Sequence, residues 1–185
     1  MRKVTSREEF LTAVNIHLPL RTNAVEIGVL YGDFSNEILR IINPTQLVLI
    51  DPYKRGEKKY GIEPDSLPTA YSTEDNYQDL VRRFTPELVA SRIRIVKKYS
   101  HEAVNEFPDN YFDFIYIDAS HLYEDVKRDL NDWFPKLKIG GLMCGHDYEN
   151  TNGFGVIKAV NEFKNENRLE FIILNENGGD FALTR

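Results

Sequence analysis

Short apolar runs alternate with amphipathic stretches along almost the whole chain, and no other feature restricts its fold as much. QLVLID (46–51) and FDFIYID (112–118) have the length and residue types of buried strands, while Phe34, Ile38, Leu39 and Ile42 recur ahead of the first of them at helical spacing. The pattern predicts strands at 24–28, 46–51, 92–98, 112–118, 141–145, 169–176 and 180–185. Ser6 followed by Glu9 reads as a capping box opening an N-terminal helix within residues 1–20. Tyr77, Leu80, Val81 and Phe84 mark another helix, and Thr85-Pro86 opens a short extra one. A short helix is expected over 100–107, and Val156, Val160 and Phe163 define one more. Val126, Leu130, Trp133 and Leu137 define a helix whose last turn Pro135 bends or ends. Strands alternating with helices imply an α/β fold: a seven-stranded, mainly parallel sheet with helices on both faces. The last two strands are joined by Asn177-Gly178-Gly179, too short for a crossover, so the sheet is expected to close with a C-terminal antiparallel hairpin.

At 185 residues, with no repeat, low-complexity tract or linker, the chain reads as a single domain, 1–185. Its net charge of −6 argues against a nucleic-acid partner, the only basic cluster being Lys54, Arg55, Lys58 and Lys59. No apolar stretch approaches the ~20 residues of a membrane span, and MRKVTSREEF lacks the apolar core of a signal peptide. One cysteine, Cys144, allows no intramolecular disulfide and fits a reducing, cytoplasmic setting. Residues 53–72 form the one long irregular segment, which is expected to be a mobile substrate loop.

The loop after the first predicted strand reads VEIGVLYGDFS, with Glu26, Gly28 and Gly32 spaced E-x-G-x-x-x-G ahead of a helix. Ligands of open α/β sheets bind at such strand ends, beside the switch point of the sheet. Position 30 is Leu and a third glycine is missing, so this is not a dinucleotide fingerprint; by itself it reads equally as a plain strand-to-helix turn. Asp51 ends the next strand, 23 residues after Gly28, where a carboxylate can accept hydrogen bonds from both ribose hydroxyls; the plainer reading is an Asp-Pro turn before Pro52. The two features together point to a nucleoside ligand. Ser100 and His101 follow another strand and are placed to meet an adenine edge, Ser100 being equally suited to capping a helix.

The densest constellation follows two later strands. One ends in IDASH, with Asp118 and His121, and the next in GHDY, with His146 and Asp147. Adjacent strands would bring two carboxylates and two imidazoles to one rim. Such donors suit Mg, Mn, Fe or Zn without choosing among them, and the spacing matches no structural zinc site. The remaining histidine, His17, falls on the N-terminal helix and reads as structural.

Taken in order, VEIGVLYGDFS, LVLIDPY and FDFIYIDASHLYEDVKRDLNDWFPKLKIGGLMCGHDY resemble the class I S-adenosylmethionine-dependent methyltransferases, in the branch of the macrocin-type sugar O-methyltransferases, over about residues 20–185. The resemblance implies a Rossmann-like fold and a cofactor site: Glu26, Gly28 and Gly32 around the methionine and ribose, Asp51 on the ribose hydroxyls, Ser100 and His101 near the adenine, and Asp118 beside the cofactor. It also implies a divalent metal such as Mg at Asp118 and Asp147, with His146 where another acidic ligand is usual, and His121 as general base. Asp118 and Asp147 thereby join His121 in the catalytic set. The implied acceptor is a small molecule, a hydroxyl of a sugar-containing metabolite, contacted by residues 53–72 and by YENTNGFG (148–155); a homodimer is compatible with this size. A nicotinamide-dependent oxidoreductase would want the missing glycine. A metal-dependent hydrolase would leave Glu26 and Asp51 without a role, and a cofactor-binding homologue without turnover is kept open by His146. The IDAS slot also lacks the N/D-P-P-Y motif common in amino-group methyltransferases that act on nucleic acid.

Overall fold

The computed structural model describes residues 1–54, 73–149 and 155–185. The expected loop at 53–72 is thus described only at Tyr53 and Lys54, and the basic residues Arg55, Lys58 and Lys59 lie outside, as does most of 148–155, Gly153 included. The strands are β1 (Arg2–Val4), β2 (Asn23–Ile27), β3 (Gln46–Ile50), β4 (Ile93–Val96), β5 (Phe112–Ile117), β6 (Leu137–Gly145), β7 (Phe171–Asn175) and β8 (Phe181–Thr184). They form one sheet in the order β1-β7-β8-β6-β5-β2-β3-β4. The pairs β2–β3, β2–β5, β3–β4, β5–β6 and β1–β7 are parallel, and β8 runs antiparallel to both β6 and β7. The hairpin therefore forms as its short turn requires. The seven expected strands are joined by an eighth, β1, an edge strand of three residues.

The helices are α1 (Arg7–Asn15), α2 (Asp33–Ile41), α3 (Glu74–Arg83), α4 (Thr85–Val89), α5 (Ser100–Ala103), α6 (Tyr123–Trp133) and α7 (Val156–Glu166). The Ser6 hydroxyl accepts from Glu9 N, and the Glu9 carboxylate reaches back to the backbone at Ser6 and, at 2.9 Å, to Thr5 N. His17 lies past the end of α1 with its side chain exposed, not on the helix. Leu137 also departs from its expected place: α6 stops at Trp133, Pro135 sits in a 3-10 turn, and Leu137 begins β6 opposite Phe112.

Both faces of the central strands are buried, as a parallel sheet covered by helices requires. Leu47, Leu49, Phe114 and Tyr116 face one core with Phe10 of α1 and Ile38 of α2. Val48, Ile50, Ile115 and Ile117 face the other with Trp133 of α6 and Phe163 of α7. Connections leave β2 for β3 on one side while β5 pairs on the other, so a crevice opens at the carboxyl end of β2. No helix among the described residues is long and apolar enough to cross a membrane.

Candidate active site

A cavity of ≈ 810 Å³ occupies that crevice, and its wall includes Arg7, Glu26, Gly28, Asp51, Ser100 and His121. This is within the usual size range of small-molecule sites. Gly28 has φ +87°, and a Cβ there would lie 2.0 Å from the Asp118 carbonyl oxygen, so no side chain fits between the ends of β2 and β5. Gly32 caps α2 at φ +76° and faces Leu80 and Phe84, where a Cβ would come within 2.4 Å of Leu80. The glycine pair thus sets a close strand approach and a tight helix entry.

Asp51 follows β3 and is 5 % exposed. One of its oxygens accepts from Val29 N at 3.0 Å and Leu30 N at 3.1 Å, and the other from Tyr53 N at 2.8 Å. Leu30 and Tyr53 both have positive φ, 52° and 47°, a costly region for such side chains. Asp51 therefore lines the cavity and also holds two strained turns in place, a task that the sequence reading missed. Glu26 is 2 % exposed and accepts a hydrogen bond from the Ser35 hydroxyl. Burial, opposed by that hydrogen bond, pushes its carboxyl up to about 8.

Beyond β4, Ser100 and His101 both line the cavity. Ser100 is the first residue of α5 rather than its cap, which is Tyr99. Its hydroxyl donates to Asp129 of α6 and accepts from Trp133 Nε1. The His101 ring stacks on Tyr99 at 5.8 Å between centroids. Asp129 was not foreseen. Its spacing in the sequence is simply that of a helix residue, and only the fold turns it inward. It is 4 % exposed, and burial, partly offset by Ser100 and Arg128, pushes its carboxyl up to about 7.

Neighbouring strands β5 and β6 bring their ends together, with Ile117 opposite Gly145. Asp147 adopts φ +58°, a left-handed conformation that Asp tolerates better than most residues. His121 Nε2 lies 2.8 Å from Asp147 Oδ2 and 3.6 Å from Asp118 Oδ1; His146 Nδ1 lies 3.1 Å and 4.0 Å from the same two oxygens. Burial lowers the His121 imidazole, but the carboxylates of Asp118 and Asp147 outweigh it and raise the group to about 9. The ordinary imidazole value near neutrality therefore does not apply to His121 here. The His146 imidazole is raised in the same way, Asp147 now being the leading partner. Burial raises Asp147, and the two imidazoles overcome it to hold its carboxyl well below the usual range.

Among the described residues, the set compact enough for one cation, with ligand atoms within 4.8 Å of one another, is Asp118, His121 and Asp147. This grouping has His121, whose Nε2 reaches between the two carboxylates, where the expected metal set has His146. Two carboxylates and an imidazole are donors that suit a divalent ion.

A family model described as a methyltransferase domain matches residues 25–148, from within β2 to just past β6. The uncharacterized protein y4gI of Sinorhizobium fredii is 38 % identical over 64 residues, 34 % of this chain; the chain spans 7 % of the length of that curated relative. Among solved structures the chain is similar to the O-methyltransferase NovP (TM-score 0.72, 18 % identity, 97 % of this chain and 79 % of that one). It is also similar to an O-methyltransferase from Bacillus cereus in complex with SAH (TM-score 0.63, 15 % identity, 98 % and 83 %). At these identities the likeness speaks for the fold.

Proposed function

The chain belongs to the methyltransferase-domain family, and on that premise we propose that it transfers the methyl group of S-adenosylmethionine to a hydroxyl of a small, sugar-containing acceptor. One observation carries this reading. A single cavity at the carboxyl end of β2 is walled both by Glu26, Asp51 and Ser100 and by Asp118 and His121. A nucleoside cofactor and a proton-accepting cluster therefore share one space.

The donor set fits the cofactor. Asp51 follows β3 in the cavity wall, the place where a carboxylate of this sheet type meets ribose hydroxyls. Glu26 is a buried carboxyl that burial favours in its neutral form and that a cationic ligand would favour as the carboxylate, and Ser100 and His101 stand where an adenine edge would come. S-adenosylmethionine supplies a methyl group on a sulfonium, already a good electrophile. The protein must then align the acceptor and remove its proton. His121 is the group placed to take that proton, with Asp147 at 2.8 Å orienting the ring. Its neutral form is needed, and the carboxylates work against that form; positive charge brought into the cavity works in its favour. A hydroxyl acceptor is supported by the O-methyltransferases among the structural neighbours, and the sugar by the resemblance of the IDASH-to-GHDY stretch. Tyr31 and Tyr99 in the cavity wall suit an acceptor with rings.

A second reading comes from the compact trio: a divalent ion on Asp118, Asp147 and His121, which would lower the pKa of a hydroxyl beside it. His121 Nε2 cannot both bind a metal and accept a proton. In the first reading Asp118 and Asp147 alone would hold the ion.

Calorimetry with S-adenosylmethionine and with NAD tests the cofactor: binding of the first and not the second is expected, and no heat with the first would sink the proposal. His121→Ala is expected to keep cofactor binding while transfer slows by roughly 10²–10⁴-fold. Undiminished turnover would remove His121 from the reaction.

A further inference from the structure

Arg7 belongs to no motif, yet it lines the same cavity. The unexpected strand β1 puts it there. β7 runs parallel to β6 because both are antiparallel to β8, and β1 is parallel to β7, so β1 also ends at the carboxyl edge of the sheet. Glu176 N donates to the Val4 carbonyl at 3.1 Å, fixing the strand end, and α1 then opens with Arg7 as its first residue.

The guanidinium is held but not used up. Arg7 Nε lies 3.4 Å from Asp180 Oδ1 and Nη2 lies 3.8 Å from Asp118 Oδ2, with the Phe34 ring 4.6 Å below. Asp180 is anchored in turn by the Tyr116 hydroxyl and by Asn175 Nδ2. None of the Arg7 contacts has hydrogen-bond geometry, so among the described residues its five N–H donors are unspent while its side chain is one-third exposed. Carboxylates surround it: Glu26 and Asp118 in the cavity wall, Asp180 beneath, and Glu37, one of whose oxygens is buried without a hydrogen-bond partner. A purely anionic occupant would meet this negative surround, and a purely cationic one would leave the arginine fork idle. A group with an ammonium and a carboxylate on one carbon satisfies both.

We propose that Arg7 binds the α-carboxylate of an amino-acid head whose ammonium faces the neighbouring carboxylates. Resting on the cofactor reading above, that head is the methionine end of S-adenosylmethionine. The sheet order agrees, because Asp118 and Arg7 lie on the β5 side of β2, and Asp51 and Ser100 on the β3–β4 side. Planar, bidentate recognition of a carboxylate is what a guanidinium does better than an ammonium.

The test compares two ligands that share nucleoside and sulfur. S-adenosylhomocysteine carries the amino-acid head, and 5′-methylthioadenosine does not. In calorimetry Arg7→Ala is expected to weaken S-adenosylhomocysteine at least about tenfold while leaving 5′-methylthioadenosine within about twofold. Unchanged affinity for S-adenosylhomocysteine, or equal loss for both ligands, overturns the proposal. A raised acceptor KM with unchanged S-adenosylhomocysteine affinity overturns it too, assigning Arg7 to an acceptor carboxylate. Removing Arg7 leaves Asp180 buried beside no cation, which can prevent folding. Arg7→Lys keeps a charge there and loses the fork, so the same ligand contrast, reduced to about threefold or more, is expected; equal affinities for wild type and Arg7→Lys again overturn it. A wild-type protein that binds 5′-methylthioadenosine but not S-adenosylhomocysteine refutes the Arg7 assignment alone, whereas one that binds neither refutes the cofactor reading along with it.

Discussion

The carboxylate of Asp51 accepts backbone N–H groups from Val29, Leu30 and Tyr53, and the last two residues sit at positive φ. If Asp51 served only a ribose, replacing it would cost affinity and leave the fold alone. Because it also clamps two strained turns, Asp51→Asn should lower stability by about 2 kcal/mol, since an amide NH₂ opposes at least one of those donors. For a chain of this length that is a fall of roughly 4–8 °C in midpoint, readable by thermal denaturation without any ligand. An unchanged midpoint would return Asp51 to a purely ligand-binding role. The place of Asp51 in the cavity wall was legible because a carboxylate ending the second predicted strand is a pattern in sequence. The clamp was not, since nothing in the letters Leu30 and Tyr53 marks a left-handed backbone. Arg7 was illegible for the same reason: one charge after a capping serine has no signature until β1 fixes where it points.

At the scale of elements, apolar periodicity was enough to place seven strands and the main helices, because both faces of a covered parallel sheet must be filled. It failed where periodicity is too short or ambiguous. Arg2–Val4 offers three residues, too few to show alternation. Leu137 continues the helical spacing of Trp133, but Pro135 removes a backbone donor and the chain turns into β6 instead. The contact of α5 with α6 carries a testable electrostatic consequence. Asp129 is raised to about 7 in the fold against 3.8 as an ordinary carboxyl, mainly through burial. Between those values the folded chain holds a proton that the unfolded chain has released. Stability from this group is therefore complete at the acid end and declines as pH rises toward 7. Asp129→Asn keeps an acceptor for the Ser100 hydroxyl without the charge. Urea titrations at pH 5 and pH 8 should show the variant gaining on the wild type at the higher pH. A difference independent of pH would mean that Asp129 is ionised in the fold at both.

Across the whole molecule, chemistry collects where the sheet order juxtaposes strand ends that are far apart in sequence. The convergence of IDASH and GHDY was legible, since consecutive crossovers place such strands side by side. Which imidazole would reach between the carboxylates was not, because that depends on the turn after β5 and on the left-handed Asp147. A cation bridging Asp118 and Asp147 would tie β5 to β6 and act on the stability of the entire domain. A ligand bound only by the folded state at a hundred times its dissociation constant adds about 2.7 kcal/mol. That corresponds to a rise of roughly 5–10 °C in midpoint for a domain of this size. Titration with Mg²⁺ or Mn²⁺ should give such a rise in the wild type, and Asp147→Asn should abolish it. His121→Ala decides between the two roles drawn above. If His121 is the base, the variant keeps the metal-induced rise and loses transfer; if it is a ligand, the rise shrinks as well. A midpoint unmoved by either ion, with turnover insensitive to a chelator, would leave the trio as an ion-pair cluster that positions His121 alone.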